Sequence, residues 1–315
     1  MRFRGLDPLG PCTSTRTREI PALHRAEFGT LPNMPQGPAV VLTIAGFDPS
    51  SGAGVTADVK TIAAHGCYGV ACISALTVQS TAGVKRVEPI AAATVSETLS
   101  ELARDVDIAA VKLGMLASGS IVAVVANFLV EKKIEIIVLD PILKSSSGTA
   151  LLDSTGAKLM VKRLLPLATV ITPNIDEAAA LTGLAVTNPD QMKIAAAQLH
   201  EMGARNVVVK GGHLDKATDL LSFTTGRGSF EQELFKAERK RSRSTHGTGC
   251  AFSAAMACHL ALGRGLPEAV LLAKAYVTAA IVNAQSVGKG TGPLHHLYRM
   301  YQTPRRPAAD PEPFH

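Results

Sequence analysis

From Ala39 onward, short apolar runs alternate with stretches of helical spacing, and this alternation restricts the fold more than any other feature of the chain. Ala39-Val-Val-Leu-Thr-Ile-Ala45 is almost wholly apolar, the mark of a strand buried on both faces. Val55, Val59, Ile62 and Ala63 then recur at helical spacing. The same reading predicts strands over Tyr68–Ala75, Ala110–Leu113, Ile134–Asp140, Val170–Thr172 and Asn206–Lys210. It predicts helices over Thr94–Arg104, Ile121–Val130, Ser154–Leu164, Asp176–Leu181 and Asp190–Met202. Asp219–Thr225 and Phe230–Glu238 read as a hairpin, and Thr248–Leu262 and Pro267–Gln285 as two apolar closing helices. Repeated β-α units with short links argue for one α/β domain, a mostly parallel sheet with helices on both faces. In such sheets ligands sit beyond the carboxyl ends of the strands.

Composition closes off other classes. Hydrophobic residues make up 46% and charged residues 18% of the 315, so the chain is not globally disordered. No apolar run reaches the roughly 18 residues of a membrane span; Ala269–Val282 is interrupted by Lys274. The five cysteines form no CxxC pair and suit a reducing, cytoplasmic setting. Net charge is +6, but part of the excess lies in residues 1–33 and in Arg239-Lys-Arg-Ser-Arg243. With 4% aromatics and no Trp, that charge does not read as a nucleic-acid face, although anionic small ligands suit it. Residues 1–38 lack the apolar core of a secretory signal and read as an irregular extension; Arg and Thr with few acids resemble an organelle transit peptide, but a translation start at Met34 is the favoured expectation. The folded domain is expected over 39–300, and 301–315 are expected to form an irregular, Pro-rich tail.

The loops after the strands carry the chemistry. Gly46-Phe-Asp-Pro-Ser-Ser-Gly-Ala-Gly54 contains a GxGxxA string from Gly52. A dinucleotide site would need an acidic residue at the end of the next strand, and none occurs between Asp58 and Glu88. There is no P-loop motif either. Asp58, at the border of the helical apolar stripe, is either a first-turn acid favoured by the helix dipole or one facing a polar pocket. Gln79 offers an acceptor and two donors, which suits a heterocycle with an amine beside a ring nitrogen; a plain loop Gln fits as well. Ser244-Thr-His-Gly-Thr-Gly-Cys250 runs into an apolar helix, with Thr248 as its expected cap and backbone N–H groups open to an anion. Cys250 in the first turn is expected to have its thiol pKa lowered by the helix dipole, so it could accept an alcohol's proton during phosphoryl transfer. Most free cysteines are instead buried small hydrophobes, which suits Cys258, and His259 lies near the same apolar stripe. His295-His296 has no matching ligand spacing, so no tightly bound protein-only metal site is expected.

Taken in order, Gly46 to Lys60, Ala75-Leu-Thr-Val-Gln79, Lys112-Leu-Gly-Met115, Thr172-Pro-Asn174-x-x-Glu177, Val209-Lys-Gly-Gly-His213 and Thr245-His-Gly-Thr-Gly-Cys250 form a specific set. Together with Gly292-Pro-Leu-His-His296, it closely resembles the hydroxymethylpyrimidine/phosphomethylpyrimidine kinases of thiamine biosynthesis, in the ribokinase-like superfamily. The resemblance covers about Ala39 to Arg299. It implies a three-layer α/β/α ribokinase-like fold, usually a homodimer. The implied reaction is ATP- and Mg²⁺-dependent phosphorylation of 4-amino-5-hydroxymethyl-2-methylpyrimidine, then of its monophosphate. Carried over by position, Gln79 binds the aminopyrimidine, and Gly46, Asp58, Met115 and Ile142 line its pocket. Asn174 and Glu177 organise Mg²⁺ and triphosphate, with Lys210 and Lys274 as further nucleotide-side residues. Cys250 takes the catalytic place, and the amides of Gly247, Thr248 and Gly249 hold the transferring phosphate.

Three positions depart from the family pattern. Phe47 stands where a small Ser or Thr is usual, Ser51 replaces a glycine, and the loop after Asp140 has Ser146 where Lys is usual, with Lys144 two places earlier. The rival reading within the superfamily is a pyridoxal kinase; Gln79 favours the pyrimidine, since pyridoxal has no amine beside a ring nitrogen. A non-catalytic sensor is the alternative from another class, and intact Cys250, Asn174 and Glu177 argue against it.

Overall fold

The apolar run that opens the domain forms a central strand, as its two-sided hydrophobicity requires. The computed structural model describes residues 15–19, 37–145, 147–212, 214, 217–225, 229–238 and 242–301. Met34, Ser146, His213 and the basic positions 239–241 lie outside them, as does 302–315. In chain order the elements are β1 (Thr15–Glu19), β2 (Val40–Phe47), α1 (Gly54–Ala64), β3 (Tyr68–Ser80), β4 (Gly83–Pro89), α2 (Ala92–Asp105), β5 (Ile108–Leu113) and α3 (Gly119–Glu131). There follow β6 (Ile137–Leu139), α4 (Ser154–Leu159), β7 (Val170–Ile171), α5 (Ile175–Thr182), α6 (Pro189–Glu201) and β8 (Asn206–Val209). The described chain closes with β9 (Ala217–Thr225), β10 (Ser229–Ala237), α7 (Thr248–Ala261) and α8 (Leu266–Val282).

All ten strands join one sheet in the order β1-β10-β9-β8-β7-β6-β5-β2-β3-β4. The block from β3 through β8 is parallel, whereas β4, β9 and the β9–β10 pair supply antiparallel edges. Alternate residues of the central strands face opposite layers. Leu42, Ile44, Val111, Leu113, Ile137 and Leu139 pack with Leu99, Ile121, Val125 and Leu199 of the α2–α6 side. Val41, Ala110, Val138 and Val208 pack with Ile62, Ala255, Met256 and Tyr276 of α1, α7 and α8. The result is the expected three-layer α/β/α arrangement. α7 is buried on every side from Cys250 to Leu260, which its run of small residues allows.

Two expectations need correction. Residues 1–38 are not irregular throughout: Thr15–Glu19 pairs in parallel with Gln232–Lys236 and ends the sheet. β3 also runs on to Ser80 and turns back into β4, so Gln79 lies on a strand rather than a loop. That hairpin has exposed Leu76 and Val78 beside polar residues, so its alternation carries little of the core signal that marks a buried strand.

Candidate active site

The carboxyl ends of β2 and of β5 through β8 bring the predicted loops to one crevice. Asp48 fixes the first of them: its Oδ1 accepts from Ser50 N (2.8 Å) and Ser50 Oγ (2.7 Å), and its Oδ2 from Ala53 N (2.9 Å). His246 Nε2 lies 2.8 Å from the same Oδ2, tying this loop to the one before α7. Burial works against the charged form, yet the bonds from His246 and Ser50 hold the Asp48 carboxyl below its ordinary range. Sequence reasoning missed Asp48 as a site residue; the turn-forming Asp-Pro-Ser-Ser is the signal that could have found it. Ser51, in the place of a family glycine, adopts φ +61°. Two real glycines are required here. A Cβ on Gly247 would overlap the Gly52 carbonyl, and one on Gly54 the Gly46 carbonyl, and both residues have positive φ.

Gln79 reaches this junction, with its Nε2 3.2 Å from His246 Nε2 and its Oε1 3.1 Å from Thr77 Oγ1. Gly46 and Met115 meet beside it: a Cβ on Gly46 would stand 2.9 Å from Met115 Sδ. Met115 clusters with Ala75, Ala117 and Leu151, and Ile142 packs against that cluster, so Gly46, Met115 and Ile142 share one apolar wall. Ser74 Oγ donates to the Met115 carbonyl at 2.5 Å and holds that wall in place.

Asp58 does not line the pocket. It is fully buried and paired with Lys112, whose Nζ lies 2.8 Å from Asp58 Oδ2. Nor is it a first-turn acid, since α1 begins at Gly54 and has no acidic residue in its first turn; helical spacing places a residue at the stripe's border but cannot show a buried partner as distant in sequence as Lys112. Cys250 also departs from expectation. It is 8% exposed, and burial pushes its thiol up to about 11, against the pull of Lys112 and of the Gly54 N–H. A helix dipole acts on this thiol, but desolvation outweighs it. Thr248 is the first helical residue rather than the cap; Gly247 is the cap, and no side chain makes a capping hydrogen bond at this end of α7, although Thr248 N lies 3.4 Å from the Thr245 carbonyl. The Gly247–Thr248–Gly249 amides thus begin an uncapped helix, as an anion site needs.

Asn174 and Glu177 form a reciprocal capping box on α5: Glu177 N donates to Asn174 Oδ1, and Asn174 N to Glu177 Oε2, each at 2.8 Å. Glu177 Oε1 is not used by the cap. Burial pushes the Glu177 carboxyl up to about 7, against the attraction of Lys210. Lys210 Nζ lies 2.7 Å from Asp140 Oδ1, and Asp140 also accepts from Thr172 Oγ1 and Ser253 Oγ. A Cβ on Gly249 would come within 3.1 Å of Lys210 Nζ, so this cation borders the α7 terminus. Asp140, which the sequence marks only as the start of a strand-end turn before a proline, is the centre of the network. Lys274 is not a free nucleotide contact. Its Nζ is spent on Asp219 Oδ2 at 2.7 Å, while Asp219 Oδ1 accepts from Gly211 N, so it braces the turn after Lys210. Lys144 of the altered loop is exposed.

Among the described residues, no group of three or more His, Cys, Asp or Glu side chains is placed to hold a metal ion. No described helix is long and apolar enough to cross a membrane.

Known proteins resemble this chain in sequence and fold. The family model for phosphomethylpyrimidine kinase matches residues 48–295. The chain belongs to the phosphomethylpyrimidine kinase family. The hydroxymethylpyrimidine/phosphomethylpyrimidine kinase of Haemophilus influenzae is 41% identical over 81% of this chain and 96% of its own length. The thiamine biosynthesis bifunctional protein ThiED of Geobacter sulfurreducens is 39% identical over 93% of this chain, which spans only 60% of that longer protein. Among solved structures, phosphomethylpyrimidine kinase from Clostridium difficile is 38% identical with a TM-score of 0.66, covering 77% of this chain and 99% of that one. A Bacillus subtilis pyridoxal kinase, solved with ADP, is 33% identical with a TM-score of 0.75, covering 84% and 100%. The fold is therefore ribokinase-like.

Proposed function

We propose that this family member transfers the terminal phosphoryl group of ATP to the hydroxymethyl oxygen of 4-amino-5-hydroxymethyl-2-methylpyrimidine, and then phosphorylates the monophosphate to the diphosphate. One observation carries the reading: the Gln79 amide lies 3.2 Å from His246, four residues ahead of Cys250 at the uncapped α7 terminus. An amide for the aminopyrimidine edge and an anion cradle for the moving phosphate thus share one junction. Gly46, Met115 and Ile142 supply the apolar face for the ring.

In the transfer, the alcohol oxygen bonds to the terminal phosphorus, the bond from that phosphorus to the ADP oxygen breaks, and the alcohol's proton leaves to a base. Phosphoryl transfer depends chiefly on positioning and charge stabilisation. The α7 amides and Lys210 provide that stabilisation. Cys250 takes the proton as thiolate, the minor form at neutral pH given its buried, raised thiol. Magnesium fits the acidic residues present: Glu177 Oε1 is free of the cap, while Asp140 is held by Lys210, so Glu177 is the carboxylate that would hold it with the triphosphate oxygens. When bound, the ion would neutralise phosphate charge. We further expect a homodimer, for which the exposed Leu76 and Val78 on one face of β3 offer apolar surface.

The second reading, pyridoxal kinase, draws on the TM-score of 0.75 to the Bacillus subtilis enzyme. Incubation with ATP, Mg²⁺ and either alcohol, with products resolved by mass, decides between them. Mono- and diphosphate from the pyrimidine support the proposal; product from pyridoxal alone overturns it.

A further inference from the structure

The hydrogen-bond account around Gln79 does not close with its amide oxygen toward Thr77. Thr77 Oγ1 has one proton, and two acceptors compete for it, the Phe47 carbonyl at 2.9 Å and Gln79 Oε1 at 3.1 Å. His246 Nε2 faces a similar conflict. It lies 2.8 Å from Asp48 Oδ2 and 3.2 Å from Gln79 Nε2, and one ring nitrogen cannot donate to the first while accepting from the second. Asp48 decides which role it has. Its carboxylate accepts from Ser50 N, Ser50 Oγ and Ala53 N, a donor set that suits the ionised form, so His246 Nε2 carries the hydrogen.

One half-turn of the Gln79 side-chain amide removes both conflicts, since amide oxygen and nitrogen are assigned by their partners. Nε2 then donates to Thr77 Oγ1, which keeps its own proton for the Phe47 carbonyl. Oε1 then accepts from His246 Nε2–H, shared with Asp48. We infer that Asp48, through His246, and Thr77 together fix the orientation of the Gln79 amide, making His246 and Thr77 positioning residues that set the donor and acceptor order offered to the substrate. Resting on the pyrimidine reading, the inference places the substrate amine toward Oε1, on the His246 side, and the ring nitrogen toward the remaining Nε2–H, on the Thr77 side. A 4-oxo analogue, with an acceptor in place of the amine and an N–H in place of the ring nitrogen, meets the opposite order and is rejected.

Two measurements test this on the full chain. In ¹⁵N-resolved NMR of the free protein, the Gln79 Nε2 protons should show cross-peaks to the Thr77 methyl group; cross-peaks to the His246 ring instead overturn the assignment, whatever the substrate proves to be. Thr77→Val removes the acceptor that holds Nε2 and leaves His246 as the remaining anchor, so the preferred orientation is weakened by about one hydrogen bond. The ratio of KM for the 4-oxo to the 4-amino pyrimidine should then fall by about tenfold, the worth of one hydrogen bond, and Thr77→Ser should restore it. A purely structural role would move Tm but leave that ratio unchanged, and an unchanged ratio overturns the inference. If neither pyrimidine binds, the substrate reading fails, and the cross-peaks alone decide the amide's orientation.

Discussion

Lys112 Nζ lies 2.8 Å from Asp58 Oδ2 with both side chains sealed from solvent, and Thr43 Oγ1 donates to that same oxygen at 2.6 Å. Asp58 Oδ1 is buried without a hydrogen-bond partner. The ion pair is therefore only partly satisfied, beside the thiol expected to handle the substrate's proton. Such pairs add little net stability over an apolar filling, but losing one partner strands a buried charge. Lys112→Met should lower unfolding free energy by about 3–5 kcal/mol in urea titration. The double variant Lys112→Met/Asp58→Leu should recover most of that loss. A single variant as stable as the parent would show that Asp58 is not ionised here.

Cys250 gives a pH signature. Its thiol is pushed up to about 11, chiefly by burial. If thiolate is the base, log kcat/KM should rise with a slope near one from about pH 7 to 9, and the slope should vanish in Cys250→Ala. That variant should lose roughly 10²–10⁴ in turnover. Near-normal turnover, or the same slope after the substitution, would remove Cys250 from the role.

The central sheet was legible because β2, β5, β6 and β8 are largely buried and read as mostly apolar runs, broken only by Thr43 in β2, Lys112 in β5 and Asn206 at the start of β8. β1 was not, since Thr-Arg-Thr-Arg-Glu carries no apolar signal and is a strand only because β10 offers its edge. Motif order brought Gln79, Gly46, Met115, Ile142, Asn174, Glu177 and Cys250 to the crevice. It could not show which charged residues there are already spent. Asp58 and Lys274 look like ligands in a string of letters, but Lys112 and Asp219, distant in sequence, occupy them. The Cys250 expectation failed because position in a helix is readable locally, whereas burial by Gly54, Lys112 and the sheet is not.

The far end of the α1–α7–α8 layer predicts acid sensitivity. His65, His259 and His296 are buried there, with His65 edge-on to both His259 and Tyr276 and with Arg299 over the Tyr276 ring. Burial first, aided by neighbouring positive charge, lowers His65 to about 4, His259 to about 3 and His296 to about 4, from 6.5. The unfolded chain therefore binds more protons below about pH 6.5. Stability is unaffected by these groups above that value and falls as pH drops toward 4, by up to about 1.4 kcal/mol per unit for each histidine. Denaturant midpoints between pH 6.5 and 4.5 should show this decline, and His259→Leu should reduce its slope. A flat profile over that window would mean the histidines gain protons without unfolding.

At the opposite edge, β1 joins an N-terminal segment to β10. Arg18 makes a forked contact with Glu233, Nε to Oε2 at 2.8 Å and Nη2 to Oε1 at 3.2 Å, and the Glu233 side chain is 3% exposed. The sheet register aligns Arg18 with Phe235 and Phe235 with Asp219, the residue that holds both Lys274 and the Gly211 amide. Removing residues 1–36 should uncover the β10 edge and leave Glu233 without this partner, so amide hydrogen exchange over 230–237 should quicken at least about tenfold. KM for ATP should rise more than KM for the alcohol, because the loosened strand supports the turn after Lys210. Arg18→Glu should reproduce the exchange effect, and adding Glu233→Arg should reverse it. If exchange over β10 is the same with and without residues 1–36, the strand is not bound to the edge in solution, and a domain starting at Ala39 is sufficient.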